Sequence, residues 1–304
     1  MINGIIVINK EAGFTSFDVV AKLRGILKQK KIGHTGTLDP DAVGVLPVCL
    51  GSATKLCDML TDKKKEYIAE FVLGKTTDTQ DISGKVLTES KVTCNEEQVR
   101  RAIAGFVGNI QQIPPMYSAI KVNGKRLYEL ARAGKEVERK PREITLYEIE
   151  VLSLQLPYVK MRVLCSKGTY IRTLCHDIGQ KLDCGAVMTK LERTKSGEFT
   201  KEMALSLSQA EELSQNGKLE DYIIPVDRVF ENTDIFDVPD RLLKKVLNGN
   251  AFSLRELPGQ IRNKCREGEN FRLYAKIEGK RKFLALYEYQ SDKQALVPVK
   301  MFLD

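Results

Sequence analysis

The 304-residue sequence lacks several patterns that would place it in a large class of proteins. Its seven cysteines include no C-x-x-C pair, and an odd number without zinc-type spacing predicts reduced thiols in a cytoplasmic protein. No apolar stretch approaches membrane-spanning length, and the short run at 5–8 has no basic region before it, so it does not predict a signal peptide. Neither a G-x-G-x-x-G loop nor a Walker A loop occurs, so no nucleotide cofactor is predicted.

The charge of the chain is unevenly distributed. The net charge is +8 and the pI is about 9.0, which indicates an anionic partner, either nucleic acid or a membrane surface. Residues 121–142 hold 8 basic and 3 acidic side chains. Residues 234–304 hold 14 basic and 10 acidic side chains. Each segment alone is also typical of a solvated face, so this pattern supports a function only together with other features.

Hydrophobic periodicity predicts strands and helices that interleave irregularly. Strands are predicted at 5–8, 65–73, 144–156, 159–165 and 186–193, and helices after Thr15, Asn95 and Gly168. Residues 43–50 are apolar but contain Gly44 and Pro47, which favours packed irregular structure there. The pattern favours an α+β fold with a large mixed or antiparallel sheet, followed by a small, mostly β module after a boundary near 225–227.

Residues 33–40, with the sequence Gly-His-Thr-Gly-Thr-Leu-Asp-Pro, concentrate unusual chemistry in a short stretch. Gly33 and Gly36 permit backbone angles closed to other residues, or the close approach of a ligand. Pro40 biases Asp39 toward an extended conformation, so Asp39 is a candidate reactive group on a constrained loop. Taken alone, however, this composition favours a plain structural turn.

Several further motifs accompany this loop, and together they resemble the TruB family of bacterial tRNA pseudouridine synthases. Residues 33–40, continued by Gly-Val-Leu-Pro-Val-Cys-Leu-Gly at 44–51, resemble the family's catalytic motif. Other similar motifs are Asn9-Lys10-x-x-Gly13-x-Thr15-Ser16, Lys65-x-Tyr67 with residues 73–81, Cys165-Ser166-Lys167-Gly168-Thr169-Tyr170-Ile171-Arg172, and Leu191-x-Arg193-Thr194. They follow the family order and cover most of residues 4–200.

The resemblance implies an enzyme that isomerises uridine 55 in the T-loop of tRNA to pseudouridine. It implies that Asp39 is the catalytic carboxylate, that Arg172 pairs with it and keeps it ionised, and that Tyr67 stacks on the target base. A carboxylate can serve as nucleophile or base in this redox-neutral reaction, so neither a metal nor an organic cofactor is expected. Each residue also has a plainer interpretation: Arg172 as a surface cation, and Tyr67 as a core side chain.

The resemblance also implies a set of substrate-binding residues. These are His34, which fills the space left by the extruded nucleotides, Lys10 as a phosphate contact, Tyr170 as a second pocket wall, Asp81 as an RNA contact or brace, and Leu191 on an active-site strand. Two alternatives stay open here. A local backbone hydrogen bond would account for His34 equally well, and Lys10 would serve equally well as a solvated side chain.

The resemblance divides the chain into two domains. The catalytic domain is expected at residues 1–228, with a basic insert at about 121–142, and a PUA-like RNA-binding domain at 234–304 rests mainly on position and charge. The partner is expected to be the T-arm of tRNA, and nothing in the sequence demands more than a monomer. Extruding the uridine costs a few kcal/mol, which phosphate contacts from the insert and the C-terminal domain would offset.

Two other function classes remain open from the sequence. The first is a non-catalytic tRNA-binding or tRNA-folding module, although binding alone does not require a carboxylate close to RNA phosphates. The second is an aspartate-dependent phosphotransferase, suggested by Asp39-Pro40-Asp41. A phosphotransferase normally needs Mg²⁺ ligands and an apolar strand directly before the first aspartate, whereas here a Gly/Thr loop precedes it.

Overall fold

The computed structural model describes residues 1–122 and 124–303. Asn123, within the predicted basic insert, and Asp304, at the end of the predicted C-terminal domain, lie outside these described residues. Across the described ranges, every helix is too short or too polar to span a bilayer.

Nine strands of the described chain form one large sheet. They are β1 (Gly4–Lys10), β2 (Ile32–His34), β3 (Val43–Leu50), β4 (Lys65–Leu73), β7 (Gly108–Gln112), β10 (Arg142–Gln155), β11 (Tyr158–Cys165), β12 (Ala186–Ser196) and β13 (Phe199–Thr200). The main order is β1-β3-β12-β4-β11-β10-β7, with β2 paired to β3 and β13 to β12. The pairing of β12 with β3 is parallel and the other pairings are antiparallel. The prediction of an α+β fold with a large mixed sheet is therefore confirmed.

A second sheet of five strands follows in the described part of residues 234–304. Its strands are β14 (Asp234–Asp237), β15 (Phe252–Ser253), β16 (Asn270–Ile277), β17 (Lys280–Gln290) and β18 (Ala295–Met301), in the order β14-β16-β17-β18-β15. Two small hairpins complete the strands: β5 (Lys75–Thr77) with β6 (Val86–Glu89), and β8 (Lys121–Val122) with β9 (Lys125–Arg126).

Helices cover the faces and ends of the two sheets. They are α1 (Ser16–Leu27), α2 (Cys57–Thr61), α3 (Glu96–Ala104), α4 (Leu127–Arg132), α5 (Ile171–Lys181), α6 (Leu207–Gln215), α7 (Asp240–Leu247) and α8 (Gly259–Arg262). The predicted helix starts are confirmed for α1 and α3. Thr15 and Asn95 each cap the helix through a reciprocal capping box, which satisfies backbone N–H groups that the first helical turn leaves unpaired.

The expectation of irregular structure at 43–50 is wrong, because these residues form the buried strand β3. Gly44 lies against the backbone of Arg193 on β12, where a Cβ would come within 2.2 Å of the Arg193 carbonyl oxygen. Glycine here permits two strands to approach closely, a recognised use of glycine within a sheet. Pro47 lies opposite Val7, and its carbonyl oxygen accepts hydrogen bonds from Thr35.

An aromatic cluster joins the second sheet to the first. Phe230 lies just before β14 and packs against Phe283 and Phe302, with ring centroids 6.2 and 6.1 Å away. These rings share one apolar cluster with residues of β1 and β3. Polar contacts flank the cluster: Lys55 donates to the carbonyl oxygen of Met301 over 2.8 Å, and the hydroxyl of Tyr274 donates to a carboxylate oxygen of Asp227 over 2.6 Å.

Replacing Phe302 with alanine tests whether this cluster stabilises the protein. Phe302 is buried, so Phe302→Ala should lower the free energy of unfolding by about 3 kcal/mol through lost burial and the cavity left behind. Phe17→Ala is the matched control, since Phe17 is 62% exposed on α1 and its loss should change stability by no more than about 0.5 kcal/mol. Equal midpoints for the two variants in urea unfolding would contradict the packing role of the cluster.

Candidate active site

The loop between β2 and β3 is fixed to the rest of the structure on both sides of Asp39. On one side, the N–H of Leu38 donates to the hydroxyl oxygen of Ser16 over 2.9 Å, and the Leu38 side chain is buried in the main core. On the other side, the carbonyl oxygen of Pro40 accepts from the N–H of Gly13 over 3.0 Å. The N–H of Ala42 closes a tight turn onto the carbonyl oxygen of Asp39 over 3.1 Å. Asp39 therefore lies on a loop with little freedom to move.

The two glycines of the loop serve different purposes. Gly36 has a φ of +142°, a conformation that side chains rarely adopt. Gly33 has an ordinary φ, but a Cβ on it would lie 3.1 Å from the sulfur of Cys57, so its role is close packing. The sequence offered both explanations without assigning them.

Lys10 lies inside the protein, next to the loop that carries Asp39. Its side chain is fully buried, and its ammonium group donates to the carbonyl oxygens of Glu11, Phe14 and Pro40 over 3.0, 2.6 and 2.9 Å. Burial lowers the pKa of Lys10 to about 8, against the attraction of Asp39 and Asp41. Lys10 therefore ties β1 to the loop beside Asp39 and is not the solvated side chain that the sequence left open as an alternative, while its phosphate contact stays a prediction.

Arg172, in the first turn of α5, makes the central contact of the site. Its Nε lies 3.0 Å from one carboxylate oxygen of Asp39, and its Nη2 lies 3.3 Å from the other. Its Nη1 donates to a carboxylate oxygen of Asp81 over 3.3 Å and to the carbonyl oxygen of Thr79 over 3.0 Å. Its Nη2 also donates to the carbonyl oxygen of Tyr117 over 3.0 Å. These five contacts match the five N–H donors of a guanidinium group.

Asp39 is accessible although its partner Arg172 is not. The Asp39 side chain keeps 41% of its surface exposed, while that of Arg172 keeps 6%. The surrounding protein still desolvates the carboxyl group, which raises the pKa of Asp39, and the positive charge of Arg172 opposes that rise. The negative charge of Asp81 raises the pKa of Asp39 further. The carboxylate is therefore reachable from solvent and held by a fixed cation.

Two central strands bring an aromatic ring and a leucine close to this carboxylate. Tyr67 on β4 lies opposite Arg193 on β12, and Ala69 lies opposite Leu191 in the same pairing. Leu191 is buried in the main core, against which Tyr67 packs. Burial raises the pKa of the Tyr67 hydroxyl, and the nearby Arg193 charge opposes the rise. Leu191 and Tyr67 thus lie on one face of the sheet.

Tyr170 precedes α5 directly, and Gln112 holds its backbone in place. The side-chain amide of Gln112 accepts from the N–H of Tyr170 over 2.8 Å and donates to its carbonyl oxygen over 3.1 Å. Burial raises the pKa of the Tyr170 hydroxyl, and the charges of Arg142 and Arg172 oppose the rise, whereas that of Asp39 adds to it. The structure therefore places Tyr170 in the same group of side chains as Asp39 and Arg172.

His34 makes the local contact that the sequence left open as an alternative. Its Nδ1 accepts a long hydrogen bond of 3.4 Å from the N–H of Gly36. Burial lowers the pKa of His34, which favours the neutral imidazole, and the charge of Arg193 acts in the same direction. His34 is thus a neutral, partly buried side chain at the start of the loop.

The structure adds functional candidates that the sequence reasoning did not single out. Ser16 anchors the loop, Tyr117 and Gln112 hold the region around α5, and Arg193 lies buried opposite Tyr67 on the neighbouring strand. One signal for Arg193 was available: it lies two residues from Leu191 on a predicted strand, so it points to the same face. A charged side chain on a core-facing position indicates a specific role.

The residues of the site contain oxygen and nitrogen donors but no cluster suited to a metal. Within 1–122 and 124–303, no three His, Cys, Asp or Glu side chains are grouped so that they could hold a metal ion. The acidic groups Asp39 and Asp81 instead share the guanidinium of Arg172.

Comparisons with protein families give this arrangement a context. Residues 24–171 match the model of the N-terminal domain of TruB family pseudouridylate synthases, and residues 172–231 match the model of the tRNA pseudouridylate synthase B C-terminal domain. The loop with Asp39 falls in the first match, and Arg172 with Leu191 in the second. The site is therefore built from both matched segments.

Individual proteins and structures agree with these models. A tRNA pseudouridine synthase B of Lachnoclostridium phytofermentans is 50% identical over 99% of this chain and 100% of its own length. A tRNA pseudouridine synthase B of Clostridium acetobutylicum is 48% identical over 93% of this chain and 94% of its own length. The crystal structure of a Cbf5–Nop10–Gar1 complex contains a chain that is 28% identical, with a TM-score of 0.72 over 99% of this chain and 85% of that one. A structure of an H/ACA RNP bound to a substrate RNA containing 2′-deoxyuridine contains a chain that is 26% identical. Its TM-score is 0.71, over 99% of this chain and 85% of that one.

These matches define the enzyme class as a pseudouridine synthase, an isomerase. Within that class, the chain belongs to the TruB family.

Replacing Lys10 with methionine tests the role of its ammonium group. Lys10→Met should lower the free energy of unfolding by about 1–3 kcal/mol, because carbonyl oxygens around the site loop lose a buried donor. Pseudouridine formation should also slow, since the Pro40 contact next to Asp39 is lost. Lys218→Met removes an exposed lysine and serves as the control for thermal unfolding and activity. If both variants behave like the parent protein, Lys10 does not hold the loop.

Proposed function

We propose that this chain isomerises uridine 55 in the T-loop of tRNA to pseudouridine, with Asp39 as the catalytic carboxylate. The observation that carries the proposal is an accessible Asp39 carboxylate held by Nε and Nη2 of the Arg172 guanidinium, in the same site as Tyr67 and Leu191. Curated relatives at about 50% identity over nearly the whole chain bear the name tRNA pseudouridine synthase B. The transfer of their substrate to this chain is part of the proposal.

The reaction explains why an ionised carboxylate is needed. Isomerisation breaks the bond between N1 of the base and C1′ of the sugar, and then joins C1′ to C5 without any redox change. Asp39 either adds to C1′ or removes a proton from the sugar, and in both cases it acts as an anion. Arg172 supplies the opposite charge that favours this anion in a desolvated site. Neither route requires a metal or an organic cofactor.

The neighbouring side chains form a pocket for an extruded base in this proposal. The ring of Tyr67 stacks on the uracil, Leu191 packs beside it, and Tyr170 forms a second wall. Asp81 braces Arg172 rather than contacting the RNA, in keeping with the hydrogen bonds of its second carboxylate oxygen to Thr79 and Ser83. His34 lies at the entrance of the loop and fills space beside the extruded nucleotide.

RNA binding is proposed to extend beyond the pocket. In the basic insert at about 121–142, Lys121, Lys125, Arg126, Arg132, Lys135 and Lys140 are exposed. The insert begins four residues after Tyr117, whose carbonyl oxygen contacts Arg172, so it lies near the site. We propose that residues 1–228 form the catalytic domain, that 234–304 form a PUA-like RNA-binding domain, and that the protein acts as a cytoplasmic monomer. Phosphate contacts from both regions would make tRNA affinity fall steeply with salt.

A tritium-release assay tests the function directly. With unmodified tRNA labelled at C5 of uridine, the parent protein should release tritium into water from one T-loop uridine, located by sequencing. Asp39→Asn should bind the same tRNA but release no tritium above background, because an amide is neither a nucleophile nor a base for this step. EDTA should leave the rate unchanged.

Each other result in that assay favours a different function. Tight tRNA binding without release by the parent protein would favour the non-catalytic binding module. If the parent protein neither binds the tRNA nor releases tritium, the proposed activity is refuted. Release that EDTA abolishes would refute the metal-free mechanism.

The pH dependence of kcat/KM tests the charges around Asp39. Because the reaction needs ionised Asp39, activity falls as the pH drops through its pKa. Arg172→Gln removes the opposing cation, which raises that pKa and moves the acidic limb to higher pH. Asp81→Asn removes a negative neighbour, which lowers the pKa of Asp39 and moves the limb to lower pH.

The two variants are informative because they shift the limb in opposite directions. Asp221→Asn, at an exposed position after α6, should leave the limb unmoved. If both variants shifted the limb in the same direction, the acidic limb would not report on Asp39.

A further inference from the structure

Arg193 has an unusual position for a charged residue. It is 1% exposed and is the largest of the fully buried side chains in the described part of the chain. It lies on β12 where that strand pairs with both neighbours, opposite Tyr67 on β4 and Gly44 on β3. A buried guanidinium requires several strong contacts, since its removal from water is costly.

The contacts of Arg193 connect three parts of the site. Its Nε donates to the carbonyl oxygen of Val45 on β3 over 2.7 Å. Its Nη2 lies 3.4 Å from the carbonyl oxygen of Gly36 in the site loop. Its charge opposes the rise in the pKa of the Tyr67 hydroxyl, so its side chain also lies near that hydroxyl. The guanidinium therefore lies beside Tyr67, its partner across the two strands, on whose ring we place the target base.

None of these contacts neutralises the charge. Among the ion pairs of the described residues, Arg172 has two carboxylate partners, whereas Arg193 has none. The positive charge acts on its surroundings, because it lowers the pKa of Lys10, His34 and Lys65. Arg193 therefore keeps a positive charge beside Tyr67 even when Arg172 is paired with Asp39.

The proposed reaction creates a negative charge at this place. When the N1–C1′ bond breaks, its electron pair stays on the base, so uracil leaves as an anion whose charge spreads over N1 and the carbonyl oxygens O2 and O4. This holds whether Asp39 attacks C1′ or removes a sugar proton. The anion persists until C5 bonds to C1′, as Asp39 leaves C1′ or the sugar proton returns; the C5 proton is then lost and N1 gains a proton. Stacking an anion on an aromatic face is unfavourable, because that face is itself electronegative.

We propose that Arg193 is a positioning residue that supports Tyr67 and the Gly36 backbone and whose unpaired charge stabilises the uracil anion stacked on Tyr67. This inference rests on the proposed function, because the stacking of uracil on Tyr67 is part of that proposal. Preorganised charges of this kind act on a developing anion without reorganising during the reaction.

The test compares Arg193→Met and Arg193→Lys with the parent protein in single-turnover tritium release. Arg193→Met should lower the rate of the chemical step by about 100-fold, the scale expected for a lost preorganised interaction. Arg193→Lys should recover about tenfold of that loss, since it keeps the charge but not the fork of donors. The Kd for tRNA should stay within about threefold of the parent value, because the buried side chain touches no phosphate.

A second substrate separates the charge effect from a merely structural one. In 4-thiouridine at the target position, sulfur carries part of the negative charge more readily than oxygen does, so the leaving anion needs less stabilisation. The rate ratio of parent protein to Arg193→Met should therefore be about tenfold smaller on 4-thiouridine than on uridine, a difference on the scale of one electrostatic contact. Any direct effect of sulfur on fit is common to both proteins and cancels in this ratio.

The outcomes distinguish the inference from the function beneath it. If the parent protein releases no tritium, the proposed function fails. If the parent is active and the ratio is equal on both substrates, or Arg193→Met is as fast as the parent, the charge role of Arg193 is refuted. If Arg193→Met does not fold, Arg193→Gln, which removes the charge but keeps a hydrogen-bond donor, carries the same comparison, and an equal ratio on both substrates would also overturn the inference.

Discussion

The hydrogen bonds of Arg172 are the constraint on which the rest of the site depends. One buried guanidinium uses all of its donors on the Asp39 carboxylate, the Asp81 carboxylate and the backbone at Thr79 and Tyr117. Three separate segments of the chain, at Asp39, residues 79–81 and Tyr117, therefore take their positions relative to α5 from one planar group. Because the donors of a guanidinium have fixed directions, a shift of any one segment weakens the contacts of the others. The accessible carboxylate is held by a rigid partner, while its own surface stays open to a substrate.

The sequence predicted the fold class and most members of the site. Alternation at 65–73 gave β4, the cap signals at Thr15 and Asn95 gave two helix starts, and motif order gathered Asp39, Tyr67 and Arg172. The sequence did not predict the role of a residue where that role depends on contacts with residues far along the chain. Gly44 suggested a break in a strand, but its purpose is contact with the Arg193 backbone, which lies far along the chain. Lys10 suggested an exposed cation, and only the folded structure surrounds it with three carbonyl oxygens.

Three buried cations surround the site loop, and their partners differ in kind. Arg172 is bound by carboxylates, whereas Lys10 and Arg193 are bound to the backbone by carbonyl oxygens. A carbonyl oxygen fixes a cation in place but carries no full charge, so it leaves the field of that cation largely intact. The loop is consequently held by charges that also raise the electrostatic potential around Asp39. Structural support and electrostatics thus come from the same side chains.

The distances along the chain between the partners of the site have a consequence for protein synthesis. Asp39 and Arg172 are 133 positions apart, and the Gly36 carbonyl and Arg193 are 157 apart. A ribosome that has made only the first half of the chain has already produced Asp39 and Tyr67, but neither of the two arginines. The nascent carboxylate at that stage has no guanidinium partner, and β4 lacks its neighbour β12. The site around Asp39 is therefore assembled only after β12 has been made, late in the synthesis of the chain.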